Sequence, residues 1–90
     1  MNVNVRVSSL LRKFTNWQEM VAVTGDTAIE CLRNLEAQFP SIREWLYDQQ
    51  GELLSQVQIF VNGERAYTDE LTNPLRDGDE VFIVLAIGGG

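Results

Sequence analysis

Three consecutive glycines, Gly88, Gly89 and Gly90, follow directly on an apolar run from Val81 to Ile87. No other group in the sequence is as unusual a reagent as the main-chain carboxylate they carry. It stands on a stalk without side chains, so nothing crowds an activating or attacking group. Lacking a Cβ, glycine can enter a channel too narrow for any other residue. Three extended residues reach about 10 Å, enough to enter a partner's active site. Gly90 is therefore read as the reacting residue, with Gly88 and Gly89 as the stalk a partner holds. The plain alternative is a frayed chain end.

Other chemistry is scarce. Histidine is absent and Cys31 is the sole cysteine. A Ser–His or Cys–His pair is thus excluded, and so is a zinc site of the usual Cys and His type. One cysteine cannot form an internal disulfide. Asp77, Asp79 and Glu80 could suggest acid–base or metal work. They surround Gly78, however, in the chemistry of a turn before a strand, and the ligand spacing of a calcium loop is missing. No metal site is expected.

With 90 residues, the chain is expected to form one domain over residues 1–87, followed by a flexible tail over 88–90. The formal charge of −6 argues against nucleic acid, whose phosphates require a basic face. Lys13 is the only lysine, and no basic run suggests an anionic membrane surface. No apolar stretch is long enough to span a bilayer. Met1–Val7 alternates polar and apolar residues, unlike a signal peptide, so a cytoplasmic protein is expected. The acids between Glu64 and Glu80 either suit a basic docking surface or simply keep a small domain soluble.

The elements that must position the tail follow from periodicity. Val3, Val5 and Val7 alternate with Asn4 and Arg6, the pattern of a strand with one buried face. After a loop over Ser8–Trp17, a second strand is expected over Glu19–Val23, pairing as a hairpin across Asn16–Trp17. Ala28, Cys31, Leu32, Leu35 and Phe39 form one stripe of an amphipathic helix that Pro40 ends. Thr27 with Glu30 has capping-box spacing, and Asp26 competes as N-cap. Cys31 lies on the buried stripe and reads as a small core hydrophobe. Ile42, Trp45 and Leu46 suggest one or two further helical turns. Strands are then expected over Val57–Val61, ending at the turn signal Asn62–Gly63, over Ala66–Thr68, and over Glu80–Ile87. The order gives an α+β layer, a mixed sheet with one main helix across one face.

The last strand is apolar on both sides, with Val81, Ile83 and Leu85 alternating against Phe82, Val84 and Ala86. Such a strand belongs in a sheet covered on both faces, yet one helix covers only one. Phe60, Phe82 and Val84 are therefore expected to form an exposed apolar patch that binds a partner. Alternatively, the Ser41–Leu54 segment folds over them. A docked patch would aim the tail, because both belong to one strand.

These residues resemble a ubiquitin-like β-grasp sulfur carrier. That group includes the molybdopterin synthase small subunit, the thiamin-pathway carrier and the cysteine-biosynthesis carrier. The resemblance covers nearly the whole chain. It is carried most specifically by Val61–Asn62–Gly63–Glu64, by Leu75 with Gly78–Asp79–Glu80–Val81, and by Ala86–Ile87–Gly88–Gly89–Gly90. The first half, with Leu10–Leu11–Arg12 and Thr24–Gly25–Asp26–Thr27, is most similar to the cysteine-biosynthesis carrier. The usual glycine pair falls on Gly89 and Gly90, and Gly88 stands where other members often have alanine or serine.

The resemblance implies a protein substrate rather than an enzyme, although it could serve as the small subunit of a sulfur-transferring synthase. An adenylating enzyme, similar to ubiquitin-activating ones, would use Mg and ATP to activate Gly90. A sulfur donor or sulfurtransferase would convert it to a thiocarboxylate, which a synthase subunit would accept. No cofactor is expected on this chain itself. Two alternatives stay open: a modifier joined through Gly90 to protein lysines, and a β-grasp binding module without acyl chemistry.

Overall fold

Alternating valines build the first strand, β1 (Asn2–Val7), which buries Val3, Val5 and Val7 and turns Asn4 outward. Its antiparallel partner is β2 (Met20–Thr24), one residue beyond the expected span, burying Val21 and Val23. The connection is not an open loop. Residues Ser9–Phe14 form a 3₁₀ helix that buries Leu11. Thr15 is fully buried, its hydroxyl 3.2 Å from the Arg12 carbonyl and 2.8 Å from that of Gln18. Asn16 and Trp17 then take left-handed φ values of 59° and 64°, turning the chain into β2.

The main helix, α1 (Ala28–Gln38), settles the competition at its start in favour of Thr27. The Thr27 hydroxyl accepts the Glu30 N–H, and the Glu30 carboxylate accepts the Asp26 N–H. The first satisfies a main-chain donor that the first helical turn leaves unpaired, and the second ties down the residue just before the cap. Ala28, Cys31, Leu32 and Leu35 are buried, while Phe39 is only half-buried as the helix ends before Pro40. Burial raises the Cys31 thiol above its ordinary pKa, which favours its protonated form. Gly25 packs directly on it: a Cβ there would lie 2.7 Å from the Cys31 sulfur.

A short 3₁₀ turn (Pro40–Ile42) leads into one further turn of helix, α2 (Arg43–Leu46), with Ile42 and Leu46 buried. This segment packs beside α1 and the 9–14 turn, so it closes the helical side of the core. Trp45 faces outward there against the Phe14 ring, at 5.3 Å between centroids.

Three more strands complete the sheet: β3 (Val57–Val61), β4 (Glu64–Ala66) and β5 (Glu80–Leu85). Strand β4 begins two residues earlier than expected. Asn62 and Gly63 both have positive φ, 51° and 84°, forming a two-residue turn that pairs Val61 directly with Glu64. Thr68–Glu70, partly assigned to a strand from sequence, is a 3₁₀ turn.

The order across the sheet is β2-β1-β5-β3-β4, with β1 and β5 parallel and the other neighbours antiparallel. With α1 across one face, this is the expected mixed-sheet β-grasp. The computed structural model describes residues 1–86; strand β5 ends at Leu85 and Ala86 is exposed. Ile87 and the expected tail, Gly88–Gly90, lie outside the described residues. Among the described residues, no helix is long and apolar enough to cross a membrane.

Candidate functional site

The point of exit from the sheet is built by β1, β5 and the residue before β3. Ser8 donates its N–H to the Ile83 carbonyl at 2.9 Å, and its hydroxyl accepts the Leu85 N–H at 3.2 Å. On the other side, Ala86 donates its N–H to the Gln56 carbonyl at 2.7 Å. These bonds hold the chain up to its last described residue, Ala86, four positions before Gly90. Gly88, Gly89 and Gly90 themselves lie outside the described residues.

Phe60 and Phe82 face the side of the sheet away from α1 and stand directly opposite each other in register. Their rings are 6.4 Å apart, a tilted aromatic pair. Val84 is on the same face, across from Gln58. All three are half-buried, so the patch is less exposed than the sequence suggests. The Ser41–Leu54 segment does not cover them. The two rings shield each other, and the Arg6 guanidinium lies 4.6 Å from the centre of the Phe82 ring.

Two residues that sequence reasoning passed over complete this face. Register places Arg6, Phe82, Phe60 and Arg65 in one row across four strands. Arg6 also pairs with Glu80 at 2.6 Å, while its Nε is buried without a hydrogen-bond partner among the described residues. Arg65 reaches over the Tyr67 ring at 4.8 Å. The alternation in β1 already placed Arg6 outside the valine face, which was the available signal. The face is thus an aromatic pair between two guanidinium groups, suited to a partner surface that mixes apolar groups with acceptors.

The carboxylates weighed as catalytic groups brace turns at the opposite end of β5. Asp77 accepts the Asn2 N–H at 2.8 Å. Asp79 accepts the Arg76 N–H at 2.8 Å and the Asn62 side-chain amide at 3.1 Å, and Asn62 in turn accepts the Glu80 N–H. These bonds, the one from Arg76 first, hold the Asp79 carboxyl below its usual range. Among the described residues, no group of three or more potential ligands could hold a metal ion.

A carboxylate with a lowered folded pKa stabilises fully above its unfolded value and loses that contribution as pH falls through the folded one. The stability difference between the wild type and Asp79→Ala is therefore expected to be largest near neutrality. It should shrink below about pH 4, near the unfolded pKa of aspartate. Urea midpoints across that range check this; a pH-independent difference would contradict the bracing role.

Comparison with known proteins places these features. The model of the ThiS family matches residues 5–90. The sulfur carrier protein CysO of Mycobacterium tuberculosis is 38% identical, and the alignment covers all of both chains. The crystal structure of M. tuberculosis CysO superposes with a TM-score of 0.83 at 36% identity, covering 96% of this chain and 100% of that one. A chain of the Amycolatopsis orientalis BexX/CysO complex matches with a TM-score of 0.84 at 27% identity, covering 98% and 99% of the two chains.

Proposed function

The chain belongs to the ThiS family, and from that premise we propose that it is a sulfur carrier acting through the main-chain carboxylate of Gly90. The observation that carries this reading is the 38% identity, end to end, with a sulfur carrier protein. The sequence adds a terminus whose last three residues place no side chain beside the acyl group.

In this reading a carboxylate oxygen of Gly90 attacks the α-phosphorus of ATP held by an adenylating enzyme. The bond to the β-phosphate breaks, pyrophosphate leaves, and an acyl adenylate forms. Hydrosulfide, or a donor's persulfide whose S–S bond a thiol reductant then cleaves, adds to the Gly90 carbonyl and AMP departs, leaving a thiocarboxylate. That sulfur is the better nucleophile and passes to an acceptor held against the same tail. The cations that neutralise phosphate charge, magnesium included, belong to the partner, since this chain carries a net charge of −6. Similarity to CysO favours cysteine biosynthesis as the destination. The A. orientalis complex favours a protein partner for the carrier.

Intact mass spectrometry of protein recovered from its own host tests the proposal. A species heavier by the exchange of one oxygen for sulfur, confined to the last peptide, is expected. Recovery only as an unmodified carboxylate, with no carrier-dependent ATP–pyrophosphate exchange by adenylating enzymes of that host, would reject it.

The Phe60–Phe82 face supplies the docking surface in this proposal. Anchors at the centre of an interface can each contribute upward of about 2 kcal/mol. The double variant Phe60→Ala, Phe82→Ala is expected to raise the KM for carrier in ATP–pyrophosphate exchange at least about tenfold, with kcat little changed. An unchanged KM would move docking elsewhere.

A further inference from the structure

The two edges of the sheet are treated very differently. Edge strand β4 has three residues, Glu64–Arg65–Ala66, of which two are charged. Short length and charge both discourage pairing with another chain. The other edge, β2, reads Met20-Val21-Ala22-Val23-Thr24 and contains no charge, proline or glycine. It pairs with β1 in unbroken register, so no bulge interrupts it.

The register also says which main-chain groups β2 leaves outward. Val7 donates its N–H to the Glu19 carbonyl and Gly25 donates to the Met1 carbonyl. Odd-numbered residues of β2 therefore point their main-chain groups at β1, and Met20, Ala22 and Thr24 point theirs away from the sheet. One of the outward carbonyls, that of Thr24, already accepts the Asn34 side-chain amide. A carbonyl has a second lone pair, so it can accept again. Met20, Ala22 and Thr24 are all exposed.

We propose that β2 is a self-association edge, at which a second copy of this chain pairs antiparallel about a two-fold axis through Ala22. Centred there, Ala22 faces Ala22 of the other copy, and Met20 faces Thr24. Every outward N–H and C=O of the three residues then meets a complementary group. No other antiparallel register uses the full set. The side chains brought together are uncharged. Glu19 falls opposite Gly25 of the other copy, the one position without a side chain, and is already partnered by Arg12 at 3.7 Å. Asp26, next along, lies 3.4 Å from the N-terminal ammonium. Self-complementarity of this kind is what an isologous contact requires, and it favours a second copy over an unrelated peptide.

The seam is one short strand wide, far below a standard interface, so the dimer should be weak, half-formed at about 0.1–1 mM. Strand β5 is two places in from the seam, so both copies keep the Phe60–Phe82 face and the tail exit clear of it. The inference is independent of the sulfur-carrier reading.

Sedimentation equilibrium on the full chain up to about 1 mM tests it, alongside amide hydrogen exchange at low and high concentration. The wild type should dimerise, with concentration-dependent protection at Met20, Ala22 and Thr24. Ala22→Pro removes an N–H that β1 does not use, a place where an edge strand tolerates proline. Ala22→Lys guards the edge while leaving every main-chain donor. Both should weaken dimerisation at least about tenfold, and Ala22→Lys should retain the wild-type circular dichroism. A wild type that stays monomeric, or a folded Ala22→Lys that dimerises as well as it, overturns the proposal.

Discussion

A carrier lengthened by one alanine after Gly90 is expected to form no thiocarboxylate at all while melting like the wild type. The extra residue turns the reacting carboxylate into an amide carbonyl, which cannot attack ATP. It also lengthens the stalk by about 3.5 Å and adds a Cβ beside the acyl group. No such change touches the core, whose last buried residue among the described residues is Leu85. Loss of activity with an intact fold would therefore locate the chemistry at the chain end. Removal of the added alanine by a carboxypeptidase should restore activity, which separates blocked chemistry from a damaged fold. A plain β-grasp binding module would form no thiocarboxylate with or without the extension. An unextended chain that is never thiocarboxylated, and whose partner binding survives the added alanine, would favour that reading.

The second large effect concerns stability. Ile83 lies in the central strand, fully buried, with Val7 and Ile59 as its cross-strand neighbours. Ile83→Ala removes methyl groups from the middle of the core and leaves a cavity that two flanking strands cannot easily close. Such truncations cost about 2–5 kcal/mol. Domains are stable by only about 5–15 kcal/mol, so much of the folding free energy would go. At roughly 4–8 °C per kcal/mol for a domain of this size, the melting temperature should fall by about 8 °C or more. Calorimetry checks this. A loss under about 1 kcal/mol would mean that the core relaxes around the gap.

The sequence was readable wherever one periodicity dominated. Val3, Val5 and Val7 declared the inner face of β1, and the stripe from Ala28 to Leu35 declared α1. It was less readable where tertiary contacts override local preference. The 3₁₀ helix over Ser9–Phe14 exists because Leu11 and Thr15 are pulled into the core, and Thr15 can be buried because its single hydroxyl proton finds a carbonyl acceptor. Strand β4 was misplaced although its signal was present. A two-residue Asn–Gly turn forces Glu64 opposite Val61, but alternating hydrophobicity hides a strand made of Glu, Arg and Ala. Leu71 and Leu75 are buried in a stretch with no period, so only the folded chain reveals them as core.

The face proposed for docking shows the same division. Alternation identified Phe60 and Phe82, but their partial shielding depends on register, which brings the two rings together and lays Arg6 against one of them. Neither event has a local signature. The group proposed to react, the main-chain carboxylate of Gly90, is read from the sequence and lies outside the described residues.

The parallel pairing of β1 with β5 has a consequence for synthesis. The opening residues of the chain take their place only when Glu80–Leu85 arrives between them and β3. Until that strand leaves the ribosome, the valines of β1 have just a hairpin partner, and the nascent chain must be kept from aggregating. A chain truncated ahead of β5 would lack the strand that joins the β1–β2 hairpin to β3, and is expected not to fold. The centre of the sheet can therefore form only after both Asn2–Val7 and Glu80–Leu85 have been synthesised.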